Sequence, residues 1–306
     1  MRKVGIIGLG NVGEAVAHYI FASGFADDLV LIDHNVKKAK ADVYDFEDAL
    51  PNLPHHVNLE VNDYSSLKDA DVIISALGNM GIELKTHGNR FSELVYNAKQ
   101  VNDVGKKIKA SGFHGVIIVI TNPVDVITTL YQRVTGFPKN RVIGTGTMLD
   151  TARMKKEVAK LLKIDPRSVS GFNLGEHGNS QFTAFSTVKA LGQPFTKIAK
   201  ERNFSLDSIG AQVKKDAFAV FLGKHYTNYG VATAAVRLMN IILNDARSEV
   251  PVSNFRKDLG TYLSYPVIVG RDGVIGSVRL SLTDVEKRKL QHSARFIKKE
   301  TKKYLD

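Results

Sequence analysis

A glycine-rich turn near the amino terminus has the residue types that hold phosphate groups. The run Gly8-Leu9-Gly10-Asn11-Val12-Gly13 follows an apolar segment directly and opens a stretch with helical spacing. Gly8 allows a tight turn, Gly10 lets the backbone approach a pyrophosphate, and Gly13 lets a helix pack closely on a strand. The first N–H groups of the helix add a partial positive charge. We therefore expect a dinucleotide to bind at this turn, with the binding residues Gly8, Gly10, Asn11, Val12 and Gly13.

An acidic residue at the end of the second apolar run selects the cofactor. Asp33 lies 20 residues beyond Gly13, the separation expected for the residue that binds the adenosine ribose. Its carboxylate would accept hydrogen bonds from the ribose hydroxyls and would repel a 2′-phosphate, which favours NAD over NADP. Lys37 and Lys38 lie close enough in sequence to weaken that repulsion.

Residues suited to acid–base and carboxylate chemistry occur at three further places. Asn122 follows an apolar run, and Asp150 and Arg153 are three residues apart in a helical stretch, so they share a face. His177 stands in a loop between two predicted strands, and an imidazole can donate and accept a proton near neutral pH. Ligands of open α/β sheets bind outside the carboxyl ends of the strands, so we expect these groups to meet the dinucleotide there.

The elements that must position these residues alternate between strands and helices over the first 144 residues. Apolar runs stand near positions 4–7, 29–32, 57–61, 72–77, 116–120 and 142–143. Such alternation predicts a parallel, doubly wound sheet of the Rossmann type. The predicted fold is therefore α/β, with a Rossmann-type sheet in residues 1–144 that binds NAD and a mixed α+β substrate domain in residues 145–306.

The second half has a different pattern. It predicts a helix over 149–162, antiparallel strands at 168–173 and 182–188, one long helical region over 207–246, a strand pair at 263–282 and a carboxyl-terminal helix.

Four motifs, in this order and spacing, resemble the L-lactate/malate dehydrogenase family. They are the glycine-rich turn, Thr121-Asn-Pro-Val-Asp125, Leu149-Asp-Thr-Ala-Arg153 and Gly175-Glu-His-Gly178. Within that family the chain is most similar to the L-2-hydroxyisocaproate dehydrogenases. The resemblance implies reversible hydride transfer between NADH and a 2-oxo acid.

The resemblance also implies catalytic roles. His177 would donate the proton during reduction, and Asp150 would hold its ring and stabilise the imidazolium. Arg153 would hold the substrate carboxylate with two parallel hydrogen bonds. Arg90 would polarise the carbonyl group once its loop closes.

Substrate preference would depend on the same loop and on two further residues. Asn122 would orient the carbonyl group or His177, and would also lie at the cofactor, while Thr227 would line the substrate wall. The loop over 79–90 lacks the Gln of lactate enzymes and the second Arg of malate enzymes, and it offers the apolar residues Met80, Ile82 and Leu84. This favours branched substrates such as 2-oxoisocaproate. Lys85 could reach a distal carboxylate, so a lactate or malate dehydrogenase with an atypical loop is the alternative.

Composition and charge bear on the other functions that a dinucleotide-binding chain could have. The 306 residues include no Cys, which argues against an NAD-dependent glycosidase with a Cys-containing metal site; we expect no metal. The net charge is +11, and residues 283–306 form a basic amphipathic helix that begins with a Thr283-x-x-Glu286 capping box. We interpret its basic face as solvated; the alternative is an acidic-membrane or nucleic-acid patch on an NAD-binding regulator.

Expectations about partners follow from the same sequence. There is no apolar run of membrane-spanning length and no signal-peptide cleavage site, so we expect a cytoplasmic protein that binds neither membrane nor nucleic acid. The family resemblance favours a homo-oligomer, with a tetramer preferred. Lys155 and Ser170 stand where many bacterial lactate enzymes carry the Arg and His that bind a sugar bisphosphate. We therefore expect no activation by fructose 1,6-bisphosphate.

Overall fold

The computed structural model describes residues 1–79, 81 and 92–304, apart from the side chains at 214 and 217. The first six strands are β1 (Lys3–Ile7), β2 (Asp28–Ile32), β3 (Asn58–Val61), β4 (Val72–Ser75), β5 (Val116–Val119) and β6 (Val142–Gly144). They lie in the order β3-β2-β1-β4-β5-β6, and every neighbouring pair is parallel. This is the doubly wound, Rossmann-type arrangement, so the predicted fold class is confirmed.

Helices cover both faces of this sheet. The helices of the described ranges are α1 (Asn11–Ser23), α2 (Val36–Ala49), α3 (Leu94–Ala110), α4 (Val124–Thr135), α5 (Met148–Leu162), α6 (Phe195–Glu201), α7 (Leu206–Lys224), α8 (Tyr229–Leu243) and α9 (Asp284–Lys302). Helices α1, α2 and α8 share one hydrophobic core with one face of the sheet. Helices α3, α4 and α9 share a second core with the opposite face. Burial on both faces explains why β4 and β5 are continuous apolar runs.

The second half of the chain extends the same sheet. Strands β11 (Ser248–Arg256), β12 (Thr261–Gly270) and β13 (Gly273–Ser277) are antiparallel to one another, and β11 pairs with β6 where Ser253 faces Gly144. Two short pairs lie apart from it: β7 (Asn173–Leu174) with β8 (Phe182–Thr183), and β9 (Lys189–Ala190) with β10 (Gln193–Pro194). Helices α5, α6 and α7 enclose a third, smaller core.

Several boundaries in the second half differ from the prediction. The strands expected at 168–173 and 182–188 shrink to the two-residue β7 and β8, because Gly171 adopts a left-handed φ of 113° and residues Phe185–Thr187 form a 3₁₀ turn. The strand pair expected at 263–282 is a three-strand unit, since β11 had not been anticipated.

The long helical region expected over 207–246 is two helices. Helix α7 ends where His225 turns to a left-handed φ of 64°, and α8 begins at Tyr229. The Thr283–Glu286 capping box is present at the start of α9, as predicted. In the parts of the chain that the structure describes, no helix is both long and apolar enough to cross a membrane.

Candidate active site

The glycine-rich turn is built as its sequence requires. Gly8 has a φ of +94°, and a methyl group added there would lie 2.6 Å from the Ala76 carbonyl oxygen. A methyl group on Gly13 would lie 1.8 Å from the Gly8 carbonyl oxygen, so only glycine lets α1 approach β1 this closely. At Gly10 an added methyl would meet nothing within 4 Å, and no side chain caps the start of α1. The turn therefore presents open backbone and helix N–H groups, which fit a pyrophosphate.

Asp33 lies beside this turn and lines a cavity of about 690 Å³ that also borders Gly8 and Gly10. Its carboxylate accepts the Leu9 N–H at 2.7 Å and the Asn35 N–H at 2.8 Å, and these bonds hold it against the glycine-rich loop. Oδ1 also lies 3.1 Å from His34 Nδ1, whereas Oδ2 can accept a second hydrogen bond beside that from Leu9, so a ribose hydroxyl of NAD fits this position. Lys38 does not serve a 2′-phosphate here: its ammonium is bonded to Glu14 and Asp42.

The predicted catalytic groups from the second half lie together. Asp150 bridges two of them: its Oδ2 lies 2.7 Å from His177 Nδ1, and its Oδ1 accepts a hydrogen bond of 3.0 Å from Arg153 Nη1. All three side chains are largely buried, with 2% exposure for Asp150, 12% for Arg153 and 13% for His177. The helical spacing predicted a shared face for Asp150 and Arg153; the structure adds a direct ion pair between them.

A second buried carboxylate holds the histidine loop, the segment 175–181 that joins β7 to β8 and carries His177. Asp125, on α4, accepts the His177 backbone N–H at 2.9 Å and the Ser253 hydroxyl at 2.6 Å. Burial raises the pKa of the Asp125 carboxyl to about 7; the two hydrogen bonds act against this rise, and the nearby charges of Glu176 and Asp150 add to it. Asp125 thus joins α4, the histidine loop and β11 at one point.

Asn122 lies on the cavity wall with an unused acceptor. Its backbone carbonyl accepts a hydrogen bond of 2.8 Å from Asn97 Nδ2, and the Asn122–Pro123 peptide bond is cis. Its side-chain Oδ1 is buried and has no hydrogen-bond partner in the structure. A buried acceptor in this state is costly unless a ligand donates to it, which fits a group of the cofactor or substrate at this point.

One cavity of about 690 Å³ joins these parts. It extends from the glycine-rich turn and Asp33 to Asn122, Asp150, Arg153 and His177, and Thr227 lines it from the break between α7 and α8. Arg90 and the loop residues Met80, Ile82, Leu84 and Lys85 lie outside the described residues. Within the described ranges, no group of three or more His, Asp or Glu side chains has a geometry that could hold a metal ion.

Sequence reasoning assigned no role to several residues that shape the site. Asp125 stood in a quoted motif, but its partner Ser253 comes from β11, 128 residues away, and nothing local signals that contact. Glu93 and Asn97 are one helical turn apart at the start of α3: Glu93 accepts the Asn79 N–H at 3.3 Å, and Asn97 holds Asn122. The four-residue spacing of Glu93 and Asn97 was the one signal in the sequence that could have indicated their shared helix face.

Comparisons with known proteins agree with this geometry over the whole chain. Residues 2–144 match the family described as lactate/malate dehydrogenase, NAD binding domain, and residues 147–306 match its alpha/beta C-terminal domain. An L-lactate dehydrogenase of Mycoplasma mobile is 36% identical over 315 aligned residues, covering 100% of this chain and 98% of the relative. L-lactate dehydrogenase 1 of Bifidobacterium longum is 35% identical, covering 97% of this chain and 96% of the relative.

Solved structures give the same result. The minor L-lactate dehydrogenase of Enterococcus mundtii in its ligands-bound form superposes with a TM-score of 0.92 at 34% identity, covering 99% of this chain and 98% of that one. A lactate dehydrogenase from a Medee basin deep-sea metagenome also reaches 0.92, at 31% identity and 99% coverage of both chains. The chain belongs to the lactate/malate dehydrogenase family of NAD-dependent oxidoreductases.

Proposed function

We propose that the chain reduces pyruvate to L-lactate with NADH, and catalyses the reverse reaction. The observation that carries this proposal is the Asp150 carboxylate, which accepts from Arg153 and contacts His177 at the wall of a cavity that begins at the dinucleotide turn. The L-lactate dehydrogenases among its relatives support the choice of substrate.

The reduction needs a hydride on the carbonyl carbon and a proton on its oxygen. NADH, when bound along the glycine-rich turn, supplies the hydride. His177 donates the proton from Nε2, because Nδ1 is the nitrogen that lies against Asp150. Asp150 fixes the ring orientation and stabilises the imidazolium by a charge-assisted hydrogen bond. In lactate oxidation, His177 accepts the hydroxyl proton at the same nitrogen.

Arg153 binds the substrate carboxylate. A guanidinium has five N–H donors, and the hydrogen bond from Nη1 to Asp150 uses one of them. The remaining donors can form two parallel hydrogen bonds to a carboxylate, and these fix the substrate with its carbonyl group toward His177. By family resemblance, Arg90 polarises that carbonyl and Asn122 orients it.

A second candidate substrate class is the branched 2-oxo acids, as in 2-hydroxyisocaproate dehydrogenases. The observation in its favour is that α7 contributes three apolar side chains, Val213, Phe218 and Phe221, to the lining of the same cavity as Thr227. Each extra methylene buried there is worth about 1–3 kcal/mol, so the preference between substrates would be moderate.

A substrate panel tests both proposals. The loss of NADH absorbance gives kcat/KM for pyruvate, 2-oxoisocaproate and oxaloacetate, and chiral chromatography identifies the product's configuration. We expect pyruvate to give the highest value and an L product; a higher value for 2-oxoisocaproate would support the second candidate instead. Oxaloacetate exceeding both by about tenfold would refute both.

Two histidine variants complete the test. His177→Asn should abolish turnover and keep NADH binding, measured by fluorescence. His292→Asn, at an exposed position on α9, is the matched control and should keep full activity. Equal losses in the two variants would contradict the assignment of His177.

A further inference from the structure

Helix α9 carries a buried serine on the face that it turns toward the core. Leu290 and Ile297 on this face pack into the core that α9 shares with α3 and α4. Ser293 lies between them in sequence and is 0% exposed. A buried hydroxyl costs free energy unless it forms a hydrogen bond with another protein group. The contacts of Ser293 therefore indicate what α9 contributes besides apolar packing.

The Ser293 side chain meets the histidine loop on both sides of His177. Its Oγ lies 2.8 Å from the Ser180 carbonyl oxygen and 2.9 Å from Ser180 Oγ. At the other end of the loop, Gly175 has a left-handed φ of 95°, and a methyl group added there would lie 2.5 Å from Ser293 Oγ and 3.1 Å from its Cβ. Ser293 is thus packed against Gly175 and bonded to Ser180, so α9 holds both ends of the segment that carries the histidine.

A carboxylate inside the loop determines the direction of these hydrogen bonds. Glu176 is 2% exposed, and its Oε2 accepts hydrogen bonds from the Ser180 N–H, at 3.0 Å, and from the Ser180 hydroxyl. Because the single hydroxyl proton of Ser180 is used in this way, Ser293 is the donor in its contacts with Ser180. The chain of hydrogen bonds from α9 therefore ends on a carboxylate, an acceptor that forms stronger hydrogen bonds than a neutral group does.

Two other anchors of the histidine loop lie at or before His177 in the chain. Gly175 pairs with Ser264 of β12 through two backbone hydrogen bonds of 2.9 and 3.0 Å. The His177 N–H donates to Asp125 at 2.9 Å. The hydrogen bond from Ser293 acts on the part of the loop that follows His177, so the imidazole is held from both directions along the chain.

We propose that Ser293 is a positioning residue that holds the histidine loop and thereby fixes the place of His177. This inference rests on the proposed function, in which His177 Nε2 transfers the proton. A proton donor must lie within hydrogen-bond reach of the carbonyl oxygen, and a displacement of about 1 Å can cost about 100-fold in rate. Arg153 lies on α5 and the dinucleotide turn precedes α1, outside the loop that Ser293 holds. Loss of the Ser293 hydroxyl should therefore slow the reaction more than it weakens the binding of substrate or cofactor.

A pair of hydroxyl deletions on α9 tests the proposal on the full chain. Ser293→Ala removes the hydroxyl that contacts the histidine loop. Thr301→Val is the matched control: Thr301 is a buried residue of the same helix, about two turns further on, and its Oγ1 has no hydrogen-bond partner among the described residues. Steady-state kinetics with pyruvate give kcat and KM, and fluorescence titration with NADH counts the chains that can bind cofactor. Hydrogen–deuterium exchange of residues 175–181, followed by mass spectrometry, reports the opening of the loop and requires no turnover.

We expect Ser293→Ala to lower kcat by about 3- to 10-fold, the factor equivalent to one hydrogen bond. KM for pyruvate and the number of chains that bind NADH should stay the same, because the interaction lost acts on the proton donor. Exchange of residues 175–181 should be faster in this variant, and Thr301→Val should match the parent in every measurement.

Four results would overturn the proposal: unchanged kcat, unchanged exchange of residues 175–181, the same changes in Thr301→Val, or a loss of NADH-binding chains as large as the loss of kcat. The last result would assign Ser293 to stability alone. A parent chain that reduces no 2-oxo acid of the substrate panel would instead refute the proposed function. In that case the exchange of residues 175–181 decides by itself whether Ser293 holds the loop.

Discussion

Replacing Asp150 with Asn changes the hydrogen bonding of His177, the proposed proton donor, in a direction that the contacts of Asp150 determine. An asparagine has one acceptor and one donor group, and Arg153 has donors only. In Asp150→Asn the amide oxygen therefore turns to Arg153, and the amide NH₂ faces His177 Nδ1. Nδ1 must then accept a hydrogen bond, which disfavours the doubly protonated ring that the proposed reduction requires.

The size of the effect follows from the contacts. A hydrogen bond to a charged group contributes about 1.5–3 kcal/mol, and the 2.7 Å contact between Asp150 and His177 has that character. Its loss corresponds to roughly 10- to 150-fold in rate, and the opposition of the amide NH₂ to the imidazolium adds to it. We expect kcat/KM for pyruvate to fall by about 100- to 1,000-fold.

Steady-state kinetics and NADH binding together measure this prediction. Glu157→Gln is the matched control: it removes one carboxylate of the same helix, buried to a similar degree but paired with Lys156 and outside the active-site cavity. The control should keep its activity, and both variants should bind NADH normally. Activity of Asp150→Asn within threefold of the parent would refute the reasoning, and so would a parallel loss of NADH affinity.

Two further predictions concern the cofactor turn and the buried carboxylate. Gly13→Ala should lower the melting temperature, since its methyl would lie 1.8 Å from the Gly8 carbonyl oxygen. Gly10→Ala should weaken NADH binding and leave the melting temperature nearly unchanged, because its methyl meets nothing within 4 Å. A lower melting temperature for Gly10→Ala than for Gly13→Ala in differential scanning calorimetry would contradict these assignments. Burial raises the pKa of Asp125 to about 7, so between pH 4 and 7 the folded chain binds more protons than the unfolded chain and its stability falls as the pH rises. Because Asp125→Asn removes this titration, the free energy of unfolding of the variant relative to the parent should increase between pH 4 and 7 by roughly 4 kcal/mol at most. Urea unfolding of both proteins at several pH values measures this difference. A difference that does not change with pH would contradict the prediction.

Local sequence patterns were enough for the parallel half of the fold. The helix predicted directly after the glycine-rich turn is α1, which begins at Asn11 and ends where Gly24 adopts a left-handed conformation. The strands β4 and β5 could be recognised as buried on both faces from their apolar runs alone. In the second half, β11 was missed, since its place is set by pairing with β6 and β12 and not by a distinctive pattern of its own.

The candidate active site shows the same division between local and long-range information. Helical spacing placed Asp150 and Arg153 on one face, and the motif around His177 identified the third residue. Which oxygen of Asp150 meets which partner depends on where the histidine loop is anchored, and that loop is bonded to β12 through Gly175 and Ser264.

The antiparallel strands therefore have a role in positioning the site as well as in completing the sheet. Ser253 faces Gly144 in the pairing of β11 with β6, and this same register brings its hydroxyl to Asp125 beneath His177. A shift of β11 by one residue would turn the Ser253 side chain to the other face of the sheet and leave Asp125 without that donor. Residues contributed by both halves thus meet at the junction of β6 and β11, so the geometry of the candidate site and the pairing of the two halves depend on the same register.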